Sequence, residues 1–422
     1  MSDGKPQSGA PGYETARLDW LDERLAKIPV PSGALSISRG LGSGLARRAS
    51  DPPGTIWAIG DRGPNLKVKA AIKHCGLEGL RPLTDIDGAK IMPCLDHGPA
   101  LAQLRIEGDK VTLLRVIPLR GADGRPLSGL PPPESSHSEH EPIFSLGGER
   151  LGTDPSGVDS EGIVALSDGS FFIGDEYGPS LLKVDRTGRV LVRWVPAGLE
   201  KHFEGATYKI EGALPAIAAA RRLNRGFEAL ALAPDEASLL IAFQSPLAHP
   251  DRAAHERSRH VRIWRLDVAT GALLAEYLYP LDPPAAFERD LEQGPVEPGD
   301  VKVSEAFMLD DRRMVLLERV SASTKFHSVE LGAAHEVPAR FSDPATRPTI
   351  EQMDEAALAA AGIVPLTKSL IFDTDRAPEI CADLEGAILL GPCEMLLVND
   401  NDFGVEGVKT QFWRVRFDRP IG

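Results

Sequence analysis

The chain has 422 residues, of which 42% are hydrophobic and 26% are charged, and its formal net charge is −14. This composition is typical of a globular protein. The acidic balance argues against a nucleic-acid partner, because neutralising phosphates requires a basic surface. No run of about 18 apolar residues occurs, so we expect no membrane-spanning helix.

The segment Met1–Tyr13 is polar and rich in Gly and Pro, and it has no apolar stretch of the kind found in signal peptides. Taken alone, this predicts a cytoplasmic protein. The chain has 4 cysteines and no Cys-x-x-Cys motif. That count argues against a disulfide scaffold and against a zinc site, and it favours free thiols.

The N-terminal part, residues 1–32, is predicted to be a polar segment with a helix over Asp19–Ile28, where apolar residues fall at helical spacing. The remainder, residues 33–422, is predicted to be a single domain. Within it, Lys67–Cys75 is predicted to form a short helix.

Three longer segments are predicted to interrupt that domain. Residues 121–157 are rich in Pro, Gly and Ser and are predicted to be a long irregular loop. Insertions are expected near residues 200–223 and 333–372. They are predicted to contain helices at Leu214–Leu223 and Glu351–Ala361.

Five stretches of the chain repeat one pattern. Each opens with Ser or Glu before an apolar strand, turns, and continues as a second apolar strand that ends in acidic or polar residues. The openings begin at Ser43, Glu161, Glu228, Glu305 and Glu385. The second strands end at Asp61-Arg62, Asp175-Glu176, Gln244, Glu318-Arg319 and Asn399-Asp400-Asn401-Asp402. Repetition on this scale is typical of a radial or stacked fold.

The second repeat shows the whole unit, with strands near Val158–Leu166, Ser170–Gly174, Ser180–Asp185 and Val190–Trp194. Four short antiparallel strands per repeat predict an all-β fold of the β-propeller type. Five blades can be counted directly. A sixth, shared between the N-terminal strand and Gln411–Phe417, would close the ring, so we expect six blades with short helical insertions.

The repeated polar residues predict a functional site at the propeller axis. In a propeller, the first strand of each blade lines the central channel and the strand tips surround its mouth. Close carboxylates cannot all stay ionised without a nearby positive charge. Oxygen ligands without histidine favour calcium, which accepts about six to eight of them. The predicted metal ligands are Asp61, Glu161, Asp175, Glu228, Glu385, Asp400 and Asp402.

Arginines offer another source of that positive charge. Arg62 and Arg319 each directly follow an acidic residue at a strand tip. Internal ion pairs would then hold the blades together without a metal. Both arrangements are compatible if the arginines also bind an anion.

The repeats also carry motifs of a known family. The chain resembles the bacterial family called "esterase-like activity of phytase" in motifs that run in order from about residue 33 to 417. They are Asp61-Arg62-Gly63-Pro64, Asp159-Ser160-Glu161-Gly162, Gly174-Asp175-Glu176-Tyr177-Gly178-Pro179, Asn224-Arg225-Gly226-Phe227-Glu228, Leu317-Glu318-Arg319 and Asn399-Asp400-Asn401-Asp402-Phe403-Gly404. The resemblance implies a β-propeller and a periplasmic or secreted hydrolase of phosphate or other esters. The chain departs from the family in lacking a visible export signal and in opening its first repeat with Ser43-Gly44.

These observations lead to three functional hypotheses. The first is a calcium-dependent hydrolase of a small-molecule ester, in particular a phosphoester. Glu176 or Glu318 would act as general base, and Arg62 and Arg319 would bind substrate oxygens. The second is a lactonase or carboxylic esterase that uses the same acidic site. The third is a non-catalytic binding propeller whose metal is structural.

Overall fold

The computed structural model describes residues 11–133 and 141–421. Strands are numbered in chain order. The chain begins with β1 (Tyr13–Leu18), β2 (Arg24–Val30) and β3 (Gly33–Ser38). The first blade and its insertion contain β4 (Gly44–Ala46), β5 (Thr55–Ile59), β6 (Leu66–Lys67), β7 (Lys90–Ile91), β8 (Ala100–Glu107) and β9 (Lys110–Pro118), and β10 (Ile143–Phe144) follows.

Four further blades follow along the chain. The second contains β11 (Ser160–Ala165), β12 (Phe171–Asp175), β13 (Ser180–Val184), β14 (Val190–Pro196) and β15 (Lys209–Leu214). The third contains β16 (Phe227–Leu232), β17 (Ser238–Phe243), β18 (His260–Asp267) and β19 (Leu273–Pro280). The fourth contains β20 (Lys302–Met308), β21 (Arg313–Arg319), β22 (Thr324–Glu330) and β23 (Lys368–Asp373). The fifth contains β24 (Leu384–Gly391), β25 (Glu394–Asn399) and β26 (Phe412–Phe417).

Helices are few and short. The α-helices are α1 (Val68–Cys75), α2 (Arg252–Arg257), α3 (Glu288–Leu291) and α4 (Glu355–Ala360). Single 3₁₀ turns lie at Glu78–Leu83, Glu200–Phe203, Ala216–Ala220, Pro284–Ala286, Pro298–Asp300, Ala333–His335, Ala339–Ser342, Ile350–Gln352, Thr374–Arg376 and Asp402–Gly404.

The blades form a closed ring. Each is a sheet of antiparallel strands that pair in chain order, with two exceptions. β15 adds to the second blade in parallel, and β1 adds to the fifth blade beside β26. The first strands contact one another in the cycle β4, β11, β16, β20, β24 and back to β4. The fold is therefore a β-propeller, as predicted, and the described strands form five blades.

The sixth blade expected from the sequence is not a separate sheet. β1 pairs antiparallel with β26, with Tyr13 opposite Phe417 and Leu18 opposite Phe412. The two ends of the described chain thus complete the fifth blade, which runs β24-β25-β26-β1. The pairing of the two termini was predicted correctly, but it closes an existing blade.

The hydrophobic core lies between neighbouring blades. Trp264, Phe227 and Phe243 are fully buried and stack on one another within the third blade, in a cluster that also includes Phe172 of the second blade and Leu316 of the fourth. Each blade buries apolar side chains on both faces, because each has a neighbour on either side. Burial on both faces explains the nearly continuous apolar runs in the sequence.

Glycines let the five inner strands approach closely. A Cβ atom on Gly162 would lie 2.0 Å from the backbone oxygen of Glu228, and one on Gly42 would lie 2.0 Å from that of Asn399. These distances are far below any allowed contact, so only glycine fits at either position.

The N-terminal segment differs from its prediction. Residues 1–10 lie outside the described part, and no helix forms at Asp19–Ile28, where irregular chain leads into β2. β2 pairs with β3 in a two-stranded sheet. The helical spacing of apolar residues was misleading because pairing with distant strands overrides local propensity. β1, which lies before residue 33, pairs with β26 of the fifth blade.

The other predicted insertions contain some of the expected elements of secondary structure. The segment 121–157 contains β10 and is otherwise irregular where it is described, with residues 134–140 outside the described part. The helix predicted at Leu214–Leu223 is only the 3₁₀ turn Ala216–Ala220, which follows Pro215. α1 confirms the predicted helix at Lys67–Cys75, and α4 lies within the one predicted at Glu351–Ala361.

The cysteines are free thiols, as the sequence suggested. Cys75 is buried, whereas Cys94, Cys381 and Cys393 are half-buried. Among the residues that the structure describes, no helix is long and apolar enough to cross a membrane.

Candidate functional site

A β-bulge in the inner strands directs the first set of polar residues to the axis. The register shifts between Ser160 and Ile163 in β11, between Phe227 and Ala229 in β16, between Val303 and Glu305 in β20, and between Leu384 and Gly386 in β24. A bulge inserts an extra residue and re-aims its side chain. The bulged residues are Glu161, Glu228, Ser304 and Glu385. In the first blade, Ser43 precedes β4 at the corresponding place.

The residues after the second strands supply the other polar side chains. Every blade contributes at least one such residue to a cavity of about 370 Å³ at this end of the axis, including Asp61, Glu176, Gln244, Arg319 and Asp400. Glu161, Glu228, Glu385 and Asp402 line the same cavity. The structure therefore brings together six of the seven predicted metal ligands, from Asp61 to Asp402.

Two overlapping groups of carboxylates could hold a metal ion in this cavity. Asp61, Asp400 and Asp402 each offer an oxygen within 4.8 Å of the others. Asp61 also belongs to a second such group, with Asp159 and Glu161. Asp159 is fully buried and was not among the predicted ligands.

Several of these carboxylates have no partner. Glu161 is only 7% exposed, yet it forms no hydrogen bond or ion pair with any residue that the structure describes. Oε1 of Glu176 and Oε2 of Glu228 are buried and, within the described ranges, accept no hydrogen bond. Unpaired buried carboxylates are rare because desolvating them is costly, so a cation bound among them would stabilise this group.

The same crowding shifts the acidity of the carboxyl groups. Burial, reinforced by Asp61 and Asp159, raises the pKa of Glu161 well above its usual range. Burial and the charge of Glu228 raise the pKa of Glu176 to about 7, against the opposing effect of Arg62. Burial would also raise the pKa of Asp61, but Arg62 and a hydrogen bond with Asp159 bring it below its usual value.

Arg62 is fully occupied by protein groups. Its Nε lies 3.3 Å from Asp61 and its Nη2 lies 2.8 Å from Asp159, while Nη1 donates to Glu141. It also donates to Tyr177 at 3.1 Å and to Asn224 at 2.7 Å. The predicted role of Arg62 as a substrate clamp is therefore not supported, because no donor remains for a ligand.

Arg319 is engaged in a similar way. Its Nε donates to Ser304 at 2.9 Å, and its two Nη atoms pair with Asp383 and Glu385. Its side chain is 1% exposed. For both arginines, the alternative in which they pair with the axial acids describes the contacts better than the clamp.

Lys302 and Arg225 are cations that pair with no carboxylate of the described residues, and sequence reasoning missed both. Lys302 lines the cavity, and its ammonium group forms no hydrogen bond or ion pair with any described residue. Burial and the neighbouring charges of Arg319 and Arg225 lower the pKa of Lys302 to about 8. Arg225 donates to Gln244 at 2.8 Å and to the backbone of Gly299 at 3.3 Å, but to no carboxylate.

The strand register explains why Lys302 faces the cavity. Lys302 lies opposite Arg319 in the pairing of β20 with β21, and paired residues share a face of the sheet. Arg225 belongs to the family motif Asn224-Arg225-Gly226-Phe227-Glu228, but the motif alone did not indicate a functional role for it.

Asp175 lies outside the cavity, contrary to its prediction as a metal ligand. It is fully buried against Arg193, with Oδ2 at 2.7 Å from Nη2, and it accepts from Ser180 at 2.6 Å and from the backbone of Asp159 at 2.9 Å. Successive side chains of a strand point to opposite faces. Since Glu176 faces the cavity, Asp175 faces the blade interior.

Glu318 differs from its prediction for the same reason. Its neighbour Arg319 faces the cavity, so Glu318 points away and accepts from Tyr279 at 2.6 Å and from Lys368 at 2.7 Å. With Asp282 and His327, it forms the third group of possible metal ligands among the described residues. The Lys368 ammonium already pairs with Asp282 and Glu318, at 2.8 and 2.7 Å.

Glu305 does not occupy the position that the repeat pattern predicted for it, which was equivalent to those of Glu161, Glu228 and Glu385. The bulged residue of the fourth blade is Ser304, so Glu305 turns into the ring. There its carboxylate accepts the backbone N–H groups of Leu45 and Ala306 at 3.0 Å and of Ala387 at 3.5 Å. It links the inner strands of the first, fourth and fifth blades.

Comparison with known proteins agrees with the motifs and the fold. The family model "Phytase-like: Esterase-like activity of phytase" matches residues 38–403. The chain belongs to this family. An "Uncharacterized secreted protein" of Arthroderma benhamiae is 29% identical over 270 residues, which cover 57% of this chain and 49% of that protein. The chain thus spans about half the length of this curated relative.

Solved structures give only distant likenesses. A gluconolactonase of Xanthomonas campestris, XC5397, aligns over 97% of this chain and 99% of its own with 10% identity and a TM-score of 0.35. The Dos1 propeller aligns over 87% of this chain and 66% of its own with 7% identity and a TM-score of 0.27. Scores this low carry no inference about chemistry.

Proposed function

We propose that this phytase-like propeller is a calcium-dependent hydrolase of phosphoesters that works at the axial cavity. One observation carries the proposal: carboxylate oxygens of Glu176 and Glu228 without a hydrogen-bond partner line the same cavity as Lys302. Arg225 lies beside this cavity and donates to Gln244 of its lining. A bound cation would neutralise the carboxylates, and a bound anion would neutralise Lys302 and Arg225. A phosphoester bound beside a metal ion would do both.

Calcium fits the chemistry of the acidic side. Asp61, Asp400 and Asp402 would hold the ion, and all of their ligand atoms are oxygens, which hard cations prefer. Asp402 is exposed and Asp400 is half-buried, so the ion has a route from solvent. When bound, calcium supplies positive charge that polarises a phosphoryl oxygen.

The cationic side would bind and orient the substrate. Lys302 offers three donors on a flexible stem, and Arg225 holds its guanidinium in place through Gln244 and Gly299. Charge-assisted hydrogen bonds to phosphate oxygens are roughly twice as strong as neutral ones. This pair replaces Arg62 and Arg319 as the proposed anion clamp.

Glu176 is the proposed general base. Its unpartnered Oε1 and a pKa of about 7 suit a carboxylate that takes a proton from water near neutral pH. As the water oxygen forms its bond to phosphorus, the bond from phosphorus to the ester oxygen breaks. The alcohol leaves with a proton from solvent.

Turnover of a substrate panel tests this proposal. Purified protein is assayed on an aryl phosphate, an aryl carboxylic ester and a lactone, each with calcium and with excess chelator. We expect calcium-dependent cleavage of the phosphate, and its weakening in Glu161→Gln, because the Glu161 carboxylate lies within 4.8 Å of Asp61, a proposed calcium ligand, and adds negative charge beside the ion. Glu107→Gln serves as the matched control, since the Glu107 side chain is 74% exposed.

Other outcomes contradict the proposal in distinct ways. Full activity in excess chelator would remove the role of calcium. Turnover of the lactone or carboxylic ester alone would favour the second hypothesis of the sequence. A chelator-sensitive Tm with no turnover on any substrate would favour a non-catalytic binding propeller.

We also propose that the protein acts outside the cytoplasm. The curated fungal relative is named a secreted protein, and calcium sites of modest affinity are filled at extracellular calcium levels. Fractionation of cells that express the native gene tests the compartment. Recovery in the cytoplasmic fraction alone would contradict it.

A further inference from the structure

Three groups of potential metal ligands occur in the described ranges, and two of them already contain a side-chain cation. Lys368 pairs with Asp282 and Glu318, at 2.8 and 2.7 Å, in the group with His327. Arg62 lies 2.8 Å from Asp159 and 3.3 Å from Asp61, in the group that also includes Glu161. A positive charge at these distances neutralises carboxylates as a metal ion would.

The third group is different. Neither Asp400 nor Asp402 forms an ion pair with any lysine or arginine of the described chain. Lys90, a nearby cation, donates to Asn65 at 3.3 Å and to no carboxylate.

The two axial groups share Asp61, so the occupant of one affects the other. Arg62 lies on one side of the shared carboxylate, with a side chain that is 3% exposed and held by Glu141, Tyr177 and Asn224. A second divalent cation on Asp159 and Glu161 would have to displace this buried guanidinium and leave its other contacts unsatisfied. That displacement is unfavourable because a buried charge without its partners is strongly destabilising.

We infer that the axial site binds one divalent cation, on Asp61, Asp400 and Asp402, and that the Arg62 guanidinium takes the place of a second ion beside it. This inference rests on the proposed calcium function, which it makes more specific. It assigns Arg62 a positioning role. The arginine holds Asp61 and Asp159 in the orientation that a binuclear site would otherwise fix with a metal.

Counting bound ions tests the inference without any assay of turnover. Native mass spectrometry and calorimetric titration with calcium are expected to give one ion per chain. Asp402→Asn should lose this ion, whereas Asp159→Asn should keep it. Arg62→Gln should bind two ions, and the charge-conserving Arg62→Lys is the matched control that should still bind one.

Each result bears on one claim. No ion on the wild-type chain would contradict the calcium-dependent function itself. Two ions on the wild-type chain, or loss of the ion in Asp159→Asn and its retention in Asp402→Asn, would overturn the inference and leave the proposed function standing. One ion on a folded Arg62→Gln variant would also overturn it. If Arg62→Gln does not fold, the wild-type count and the two aspartate variants decide.

Discussion

Asp175 and Glu161 belong to neighbouring motifs, but neutralising them is expected to change the stability of the calcium-free protein in opposite directions. Asp175→Asn should destabilise it and Glu161→Gln should stabilise it. Asp175→Asn removes the charge that compensates Arg193, and both side chains are fully buried. Breaking a buried ion pair on one side costs about 3–5 kcal/mol, because the remaining charge stays buried and unpaired. Glu161→Gln instead removes a charge that has no partner, so it should stabilise the calcium-free protein.

The expected change in Tm follows from the size of the chain. Unfolding entropy is about 2.1 cal/mol/K per residue, so for 422 residues each kcal/mol shifts the Tm by roughly 1 °C. Asp175→Asn should therefore lower the Tm by roughly 3–6 °C. Scanning calorimetry in excess chelator measures both variants without a contribution from bound metal, and Glu107→Gln is the control with little change.

Calcium titration of the same variants completes the test. Asp175→Asn should bind calcium with unchanged affinity, because its side chain faces the blade interior. Loss of calcium binding by Asp175→Asn at an unchanged Tm would refute the reasoning and restore Asp175 as a ligand. A fall in Tm for Glu161→Gln in chelator would refute the claim that its charge lacks a partner.

Three further predictions concern the cavity. Chelation should lower the Tm of the wild-type protein, since an ion at 100 times its dissociation constant adds about 2.7 kcal/mol to stability; an unchanged Tm would argue against a metal site. Lys302→Met should raise KM for an aryl phosphate more than it lowers kcat, because substrate and transition state carry the same anionic group; steady-state kinetics would show the reverse if Lys302 acted only in the chemical step. In the calcium-free protein, Glu176 and Glu385 have pKa values raised from 4.5 to about 7 and about 8. Their protonation therefore stabilises the fold fully below about pH 4.5, and this stability is lost as the pH rises through 7 and 8, so the urea midpoint should fall between pH 5.5 and pH 8.5.

The propeller itself was readable from the chain. Short apolar runs between turn residues, repeated five times, specify strands and a radial arrangement. The polar residues that follow each second strand also predicted, from the sequence alone, a polar site at the propeller axis. These features are local, because they depend on which residues follow one another along a strand.

Side-chain direction at the tips was decided by register. Asp175 and Glu176 are adjacent, as are Glu318 and Arg319, and in each pair only the second residue faces the cavity. At these strand ends the alternation of side chains decides which neighbour points to the axis, and in the first strands the position of the bulge decides it. Ser304 rather than Glu305 occupies the bulge of β20, and the repeat pattern alone does not show this shift of one residue.

The sequence by itself determined the class of fold, its repeat and the acidic character of its centre. The tertiary structure decided how many blades close the ring, since β1 pairs with β26 across almost the whole chain. It also decided which charges are already neutralised: Arg62 and Arg319 are held by carboxylates, while Lys302 and Arg225 are not. Ion pairing depends on distances of a few ångströms between residues that are far apart in the chain, and only packing sets those distances.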